Sequence, residues 1–342
     1  MTGRMTTKIG RLTLPNPVIC ASGEPVITES GIRAALAAGA GGVIAKSVNE
    51  RPEAARQLDL ADYASLEVDG ARSFLNRSGL TSRETGDWFR AIAEIDREAA
   101  ETGRFVAASI VLAQTQGAVT IAGMARDAGL RVFELNVGVP HASEAAAGAV
   151  AQETDPGRLK QLVGRVRQAT EGMELWVKLT GLSSDLPAQA AAARDGGADA
   201  VCMMGRFMAM VPELETFAPV LGTSAAYGGG WALPIVCRFL AMSRRAVGPD
   251  FPLLGTNGVR SGEDVARMAL AGASAIEALS IVMHEGFGGI ARMIGELDAF
   301  LTRRGLDFSG LIGQTADRLA GYDAQSTELG RWRNFVPPET LA

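Results

Sequence analysis

The sequence predicts a (β/α)8 barrel, and three observations indicate this fold class. Four segments share one pattern, in which an alanine-rich helix ends at glycine and leads directly into an apolar strand. The strands are continuous apolar runs rather than alternating ones, as expected for parallel strands that are buried on both faces. Reading outward from these segments gives about eight strand and helix pairs, the number that closes a barrel.

The repeated pattern has a simple physical basis, because a helix that stops at a left-handed glycine can turn tightly into the next strand. The four segments are "AALAAGAGGVIAKS", "ARDAGLRVFELNV", "AARDGGADAVCMM" and "MALAGASAIEALS". We predict barrel strands near "PVICASG", "GGVIAKS", "FVAASIVL", "VFELNVG", "ELWVKLT", "AVCMM", "PLLGTNG" and "AIEALSIVM". Three of the intervening helices have side chains suited to N-caps, namely Thr28, Asp155 and Ser261.

No linker interrupts this series, so we expect one domain over residues 1–342 with its core at about 12–305. A short N-terminal lid strand, "KIGRLTLPNP", precedes the core, and a tail follows from about residue 306. An open doubly wound sheet uses the same alternation of strands and helices. It is the less favoured alternative, because no clear GxGxxG motif follows the first strand.

Composition excludes several classes of protein. Hydrophobic residues make up 47% and charged residues 21% of the 342 residues, which is typical of a folded protein with a large core. The formal charge of -5 is spread along the chain, so we do not expect a nucleic-acid partner. No run has the length of a signal peptide or a membrane span, and we expect a cytoplasmic protein without a membrane partner. Three cysteines without a CxxC motif favour buried thiols over a metal site or disulfides.

Functional groups of a barrel lie at the carboxyl ends of its strands. The polar residues predicted there are Ser22, Lys46, Ser47, Asn136, Lys178, Thr180, Arg206, Thr256, Asn257 and Ser280. Lys46 and Lys178 both follow apolar runs, and a buried ammonium is rare unless it meets an anion or an electron-rich ligand. The alternative is that both lysines lean out to solvent at the rim.

The last third of the chain indicates a phosphate site. "GTNG" (255–258) closes the seventh predicted strand, "SGEDV" begins the next helix, and we place Ser280 at the end of the eighth strand. Loops after strands seven and eight commonly hold phosphate through backbone N–H groups and hydroxyls. "YGGGW" (227–231) adds glycines, at which a ligand can approach the backbone closely.

With these residues identified, the chain resembles the dihydroorotate dehydrogenase family of FMN-dependent (β/α)8 barrels from Leu12 to Gly305. "NPVICASG" resembles the family's first strand and flavin-contacting turn, "AKS" its strand-two lysine, and "LNRSGL" its N-x-x-G-L segment. "ELNV" resembles the strand-four asparagine and "VKLT" the strand-five lysine. "GTNGVRSGEDV" resembles the phosphate loop GxGGIxSGxDA, and "AGASAIEALS" resembles AGAxxVQxGT.

The resemblance implies a small-molecule flavoenzyme, with a homodimer as the suggested assembly. It implies that Lys46 and Lys178 face the flavin, with Lys178 near its N1 side, where a cation favours the reduced form. It implies that Asn76 and Asn136 contact a planar heterocyclic substrate or, in part, the flavin. The complete implied FMN site is Ala21, Ser22, Gly23, Lys46, Ser47, Asn136, Lys178, Gly229, Thr256, Asn257, Gly258 and Ser280.

Four departures from the family pattern bear on the reaction. The family's strand-four loop carries a Cys or Ser that removes a proton from dihydroorotate, and Val139 stands at this position. His141 replaces a substrate-binding asparagine, the strand-six "NT" pair is replaced within "CMMGRF", and Leu279 stands where a phosphate-loop glycine is expected. Valine cannot supply general base catalysis, which contributes roughly a hundredfold or more in rate.

His141 is the natural substitute for the lost base, because imidazole titrates near neutral pH; otherwise it is a histidine at the rim that only binds substrate or backbone. Lys46 is our other catalytic candidate, and Ser143 and Cys202 are weaker ones. Arg206 could clamp an anionic substrate group, or be a solvated loop charge.

Three functions therefore stay open. The first is an FMN oxidoreductase that acts on a small cyclic or unsaturated, amide-like or pyrimidine-like compound other than dihydroorotate. The second is a true dihydroorotate dehydrogenase with an atypical base. The third is a non-catalytic flavin-binding barrel or a subunit of a complex.

Overall fold

The computed structural model describes residues 3–51, 62–68, 70–139, 150–324 and 330–341. Strands in these parts of the chain are β1 (Thr7–Ile9), β2 (Leu12–Leu14), β3 (Val18–Cys20), β4 (Gly42–Ile44), β5 (Asp62–Val68), β6 (Ala71–Arg77), β7 (Phe105–Val111), β8 (Val132–Asn136), β9 (Glu174–Lys178), β10 (Ala200–Met203), β11 (Phe207–Ala209), β12 (Ala225–Gly229), β13 (Leu253–Thr256) and β14 (Ala273–Ala278).

Eight of these strands form a closed parallel barrel in the order β3, β4, β7, β8, β9, β10, β13, β14. Each of the eight predicted strand segments overlaps one of them, so the predicted barrel is confirmed and the open sheet is wrong. Register brings strand-end residues together: Asn136 lies opposite Lys178, and Thr256 lies opposite Glu277. Closure of the sheet therefore gathers the polar strand ends at one mouth of the barrel.

Helices surround the barrel and pack through apolar faces. They are α1 (Glu29–Ala37), α2 (Thr85–Ala100), α3 (Thr115–Asp127), α4 (Pro156–Ala169), α5 (Leu186–Asp195), α6 (Leu233–Val247), α7 (Gly262–Leu270), α8 (Ser280–Glu285) and α9 (Gly288–Arg304). The three predicted N-caps are confirmed, since Thr28, Asp155 and Ser261 accept hydrogen bonds from backbone N–H groups in the first turns of α1, α4 and α7. In the described part of the chain, no helix combines the length and apolarity needed to cross a membrane.

The predicted N-terminal lid strand is an antiparallel hairpin of β1 and β2, and it lies at the other end of the barrel from the polar strand ends. Ile9 and Leu14 are buried with Phe105 and Val132, the first residues of β7 and β8. The hairpin thus closes the amino end of the barrel with apolar side chains. Its position corrects the expectation of a lid, because burial of Ile9 and Leu14 inside the barrel fixes it there.

A second, antiparallel sheet has the strand order β11, β12, β6, β5, and the sequence did not predict it. Asn76 of β6 pairs with Ala226 of β12 on one side and with Tyr63 of β5 on the other. Tyr63, Phe74 and Asn76 line the same pocket as the barrel strand ends. This sheet is therefore the cover of the polar mouth, and we call it the cover sheet.

Candidate active site

A pocket opens between the carboxyl ends of the barrel strands and the cover sheet. Fourteen of the predicted site residues line it: Ala21, Ser22, Gly23, Lys46, Ser47, Asn76, Asn136, Lys178, Arg206, Gly229, Thr256, Asn257, Gly258 and Ser280. Thr180 and Cys202, which were also candidates, are fully buried and do not line it. His141 and Ser143 lie outside the described residues. One detail of placement is corrected, because β14 ends at Ala278 and Ser280 is the first residue of α8.

The two lysines are buried rather than turned to solvent. Lys46 is 4% and Lys178 is 8% exposed, so the alternative of two rim lysines is wrong. Lys46 follows β4, and its Nζ lies 2.9 Å from Oε1 of Glu24. The hydroxyl of Tyr63 donates a hydrogen bond to the other oxygen of Glu24. A lysine, a glutamate and a tyrosine therefore form one hydrogen-bonded group on a wall of the pocket.

Protonation of this group follows from its burial and its charges. Burial alone would raise the pKa of Glu24, but the attraction of Lys46 and the hydrogen bonds from Tyr63 and Lys46 lower it overall. Burial lowers the pKa of Lys46 more than Glu24 raises it, and the nearby Arg206 adds to the lowering. Burial and the negative charge of Glu24 raise the pKa of Tyr63. Glu24 is thus ionised at neutral pH, and Tyr63 carries its proton.

Lys178, the last residue of β9, lies on the floor of the pocket between two buried carboxyl groups. Its Nζ is 2.9 Å from Oε2 of Glu134 and 2.5 Å from Oε2 of Glu277. Burial alone would lower the pKa of Lys178, but the two carboxylates raise it overall. Burial, reinforced by repulsion from Glu134, raises the pKa of Glu277 to about 7 against the attraction of Lys178.

A row of serine hydroxyl groups joins Ser22, which follows the first barrel strand β3, to the buried carboxyl group of Glu134. Ser22 Oγ lies 3.0 Å from Ser47 Oγ, which lies 2.8 Å from Ser109 Oγ. Ser109 in turn donates to Oε1 of Glu134 at 2.9 Å. Because Ser22 and Ser47 line the pocket, the row runs from the pocket to the buried carboxyl groups without a gap longer than a hydrogen bond.

The turn after β13 supplies the glycine-rich side of the pocket. Asn257 and Gly258 have φ angles of 73° and 95°, in the left-handed region that favours asparagine and glycine. A Cβ on Gly258 would come 2.5 Å from the backbone nitrogen of Leu233, and one on Gly229 would come 2.2 Å from Ser73 Oγ. Asn257 Oδ1 accepts the N–H of Gly229 at 3.3 Å. These contacts bring two glycine-containing stretches of backbone together on one side of the pocket.

Leu279 narrows the pocket beside this backbone. Its side chain occupies the space next to Gly23, where a Cβ would come 2.5 Å from the leucine Cδ2. Both residues line the pocket. The leucine that replaces the expected phosphate-loop glycine is thus accommodated against another glycine.

Arg206, which follows β10, reaches across the pocket to the cover sheet. Its Nη1 donates to Oδ1 of Asn76, and its Nη2 donates to Ser78 Oγ at 3.2 Å. Within the described ranges the guanidinium forms no ion pair, and burial lowers the pKa of Arg206. Its contacts are neutral, so it presents a positive charge to the pocket. Arg206 is half-buried and lines the pocket, and its contact with an anionic substrate stays a prediction.

The wall that holds Val139 is apolar. Val139 is 4% exposed and packs with Leu80, Val111 and Val150. Val139 therefore contributes shape and not proton transfer. Cys202 is buried inside the barrel, where burial raises the pKa of its thiol, so it is a poor catalytic candidate.

Several residues of the pocket were missed by the sequence predictions. Glu24, Glu134 and Glu277 are partners of the predicted lysines, and Tyr63 donates a hydrogen bond to Glu24. Glu134 and Glu277 had one visible signal, a glutamate in the middle of an apolar strand. His284 stacks its ring on Phe74 with 4.3 Å between centroids.

Comparison with known proteins gives a consistent result. The sequence profile described as Dihydroorotate dehydrogenase matches residues 4–301. A protein of Methanocella arvoryzae named dihydroorotate dehydrogenase B (NAD(+)), catalytic subunit, is 29% identical over 91% of this chain and 97% of its own. A protein of Methanosarcina mazei with the same name is 31% identical over 86% of this chain and 89% of its own. Dihydroorotate dehydrogenase A (fumarate) of Limosilactobacillus reuteri is 26% identical over 83% and 89%.

The profile covers most of the chain, and the relatives align along nearly their whole lengths. The motifs that carried the resemblance lie around one pocket of the described structure. The chain therefore belongs to the dihydroorotate dehydrogenase family, whose members are flavoprotein oxidoreductases that act on CH–CH bonds.

Proposed function

We propose that this chain binds FMN and transfers a hydride between the flavin and a small cyclic or unsaturated, amide-like or pyrimidine-like compound other than dihydroorotate. One observation carries the proposal: Lys46, Lys178 and Asn136 converge on a single covered pocket beside a glycine-rich backbone turn. We further propose that the whole chain serves this site as one functional unit.

The residues of the pocket fit FMN. Gly229 and Gly258 line the pocket without a side chain of their own, so a phosphate could approach the backbone closely there. Thr256, Asn257 and Ser280 add polar groups on the same side of the pocket. Ala21, Ser22 and Gly23 form the small-residue turn against which a flat ring can pack, and Lys178 places a cation on the floor. When bound, FMN supplies a reversible hydride acceptor.

Substrate recognition is assigned to the groups that link the barrel to the cover sheet. Arg206 is a half-buried cation with neutral partners, so it favours a substrate with a carboxylate or another electron-rich oxygen. Asn76 and Asn136 offer amide groups that can pair with an amide-like ring. Lys46, oriented by Glu24, completes a polar wall beside them. These residues hold and orient the substrate while the cover sheet limits its contact with water.

Val139 is the reason for proposing a substrate other than dihydroorotate. It belongs to an apolar cluster in the place where the resemblance puts the proton-removing Cys or Ser. We propose His141 as the residue that exchanges the proton, with Lys46 as a second catalytic group.

The names of the relatives favour a second candidate, dihydroorotate dehydrogenation with an atypical base. Anaerobic mixing of FMN-loaded protein with dihydroorotate distinguishes the two. Bleaching of the flavin within catalytic times would establish the second candidate. Absence of bleaching by dihydroorotate, with bleaching by another member of a panel of cyclic and unsaturated compounds, is the result that our proposal predicts.

Substitution tests the assignment of His141. With a substrate in hand, His141→Ala is expected to slow flavin reduction by roughly a hundredfold or more, while FMN binding is retained. His284→Ala is the matched control, because this histidine stacks on Phe74. Unchanged reduction in His141→Ala would remove His141 from the reaction. Flavin that binds but is reduced by no compound would favour the non-catalytic barrel.

A further inference from the structure

Three ionisable side chains meet beneath the pocket floor, and their charges do not balance. Lys178 carries one positive charge, whereas Glu134 and Glu277 carry two carboxyl groups. Glu134 is fully buried and Glu277 is 1% exposed. A net negative charge in such a place is strongly disfavoured, so the three side chains favour uptake of one proton. We call them the floor cluster.

The ionisable groups that surround Glu277 come from the other strands of the barrel. Lys178 on β9 and Glu134 on β8 face it directly, and Cys202 on β10 and Cys20 on β3 are the other ionisable groups that interact with it. Burial raises the pKa of Cys20 to about 12 and also raises that of Cys202, so both thiols stay neutral near pH 7. Exchange of a proton near neutrality therefore belongs to Glu277, whose pKa is about 7.

The proton also has a route. Ser22 and Ser47 lie at the pocket wall, and hydrogen bonds of 3.0, 2.8 and 2.9 Å lead from Ser22 through Ser47 and Ser109 to Glu134. Hydroxyl groups both donate and accept, so such a row can pass a proton between the pocket and the cluster.

We propose that the floor cluster stores one exchangeable proton, which Glu277 binds when negative charge is added to the pocket floor, as on reduction of a bound flavin. This inference rests on the proposed FMN function. The proton comes from solvent and passes along the serine row to Glu134, and from Glu134 it moves to the hydrogen-bonded Glu277, where an O–H bond forms on the carboxylate. The electrons come from the reductant, and no bond between heavy atoms changes. Glu277 is thus a positioning residue that acts through Lys178.

The test is the number of protons taken up for each pair of electrons. FMN-loaded protein is reduced with dithionite in weak buffer, and pH changes are followed with an indicator dye. At about pH 8 the native protein is expected to take up close to one proton more than Glu277→Gln, because its cluster starts deprotonated. At about pH 5.5 the two are expected to agree, because Glu277 already holds its proton. Equal uptake at about pH 8 would overturn the proposal.

Glu174→Gln is the matched control, since Glu174 is a buried glutamate at the other end of β9 and pairs with Arg11. It is expected to behave as the native protein does, and a loss of the extra proton in this variant would contradict the assignment to Glu277. Ser109→Ala interrupts the serine row but leaves the cluster, so it is expected to slow proton uptake without changing its extent. If Glu277→Gln fails to fold, Glu134→Gln is expected to abolish the same proton.

Infrared titration of the flavin-free protein separates this proposal from the proposed function. The native protein is expected to show the band of a buried carboxylic acid that disappears as pH rises through about 7, and Glu277→Gln is expected to lack it. Absence of this band in the native protein overturns the stored proton even if FMN binds. Failure to bind FMN overturns the proposed function and the coupling to reduction, whatever the infrared result.

Discussion

Lys178 Nζ lies 2.5 Å from Oε2 of Glu277, so the cation on the pocket floor is held by a carboxylate that the barrel interior buries. Glu134 holds the same ammonium from the other side at 2.9 Å. The position of Lys178 is thus set from within the barrel. The two carboxyl groups partly neutralise the positive charge that Lys178 presents to the pocket. Both the stability of the barrel and the chemistry of the site depend on this balance of charge.

Removal of Lys178 is expected to destabilise the fold. Lys178→Met leaves Glu134 and Glu277 buried without a cation, and loss of one partner of a buried pair costs about 3–5 kcal/mol in the free energy of unfolding. Urea unfolding at about pH 8 measures this. Adding Glu277→Gln to Lys178→Met is expected to recover part of the loss, since one uncompensated carboxylate is removed. Native stability in Lys178→Met would show that the cluster contributes nothing to folding.

The pH dependence of stability provides a second test of the cluster. The pKa of Glu277 is about 7 in the folded protein and is ordinary in the unfolded chain, so between these values the folded state binds more protons. The contribution of Glu277 to the free energy of unfolding therefore falls by an amount on the order of 3 kcal/mol as pH rises from about 4.5 to about 7. Above about pH 7 this contribution no longer changes with pH. Urea titrations should show this decline in the native protein relative to Glu277→Gln. The same dependence of unfolding free energy on pH in the native protein and in Glu277→Gln would contradict this expectation.

The glycine-rich turn after β13 is expected to tolerate no side chain. Gly258→Ala forces a left-handed alanine with its Cβ 2.5 Å from the nitrogen of Leu233. We expect a loss of about 1–3 kcal/mol in stability and weaker FMN binding, measured by unfolding and by flavin fluorescence. Gly295→Ala is the control, because this exposed glycine in α9 has open space around it and is expected to gain about 0.5–1 kcal/mol. Unchanged stability and FMN binding in Gly258→Ala would show that the turn accommodates a side chain.

Arg206 is expected to determine affinity for an anionic substrate. Arg206→Met removes the charge and is expected to raise KM roughly 10- to 100-fold with a smaller change in kcat, because a charge-assisted hydrogen bond to the bound substrate is lost. Arg206→Lys keeps the charge, so its KM is expected to lie between those of the native protein and Arg206→Met. Steady-state kinetics with the identified substrate and with its neutral amide analogue measures the difference. Equal KM values for native protein and Arg206→Met would exclude the contact.

The barrel was predictable because its signals are local. Apolar runs, glycine caps and N-cap side chains each lie within a few residues of one another, and closure of the sheet then brings strand-end residues such as Lys46, Asn136 and Lys178 together. Burial of the lysines followed from the apolar sequence before them.

The partners of these residues were not predictable, because they come from distant parts of the chain. Tyr63 meets Glu24 only after β5 joins a sheet whose other strands include residues 207–209 and 225–229. Glu134 and Glu277 share one lysine only because β8, β9 and β14 belong to one closed barrel. Non-local pairing of this kind leaves no periodic pattern in the sequence.

The most direct test of the proposed function is the flavin content of the purified protein. We predict a yellow protein that carries FMN in stoichiometric amount through gel filtration, or that takes it up when FMN is added. Release by acid and chromatography identify the flavin and give its ratio to protein. A colourless protein that is folded, and that still fails to bind added FMN in a fluorescence titration, would contradict the proposal.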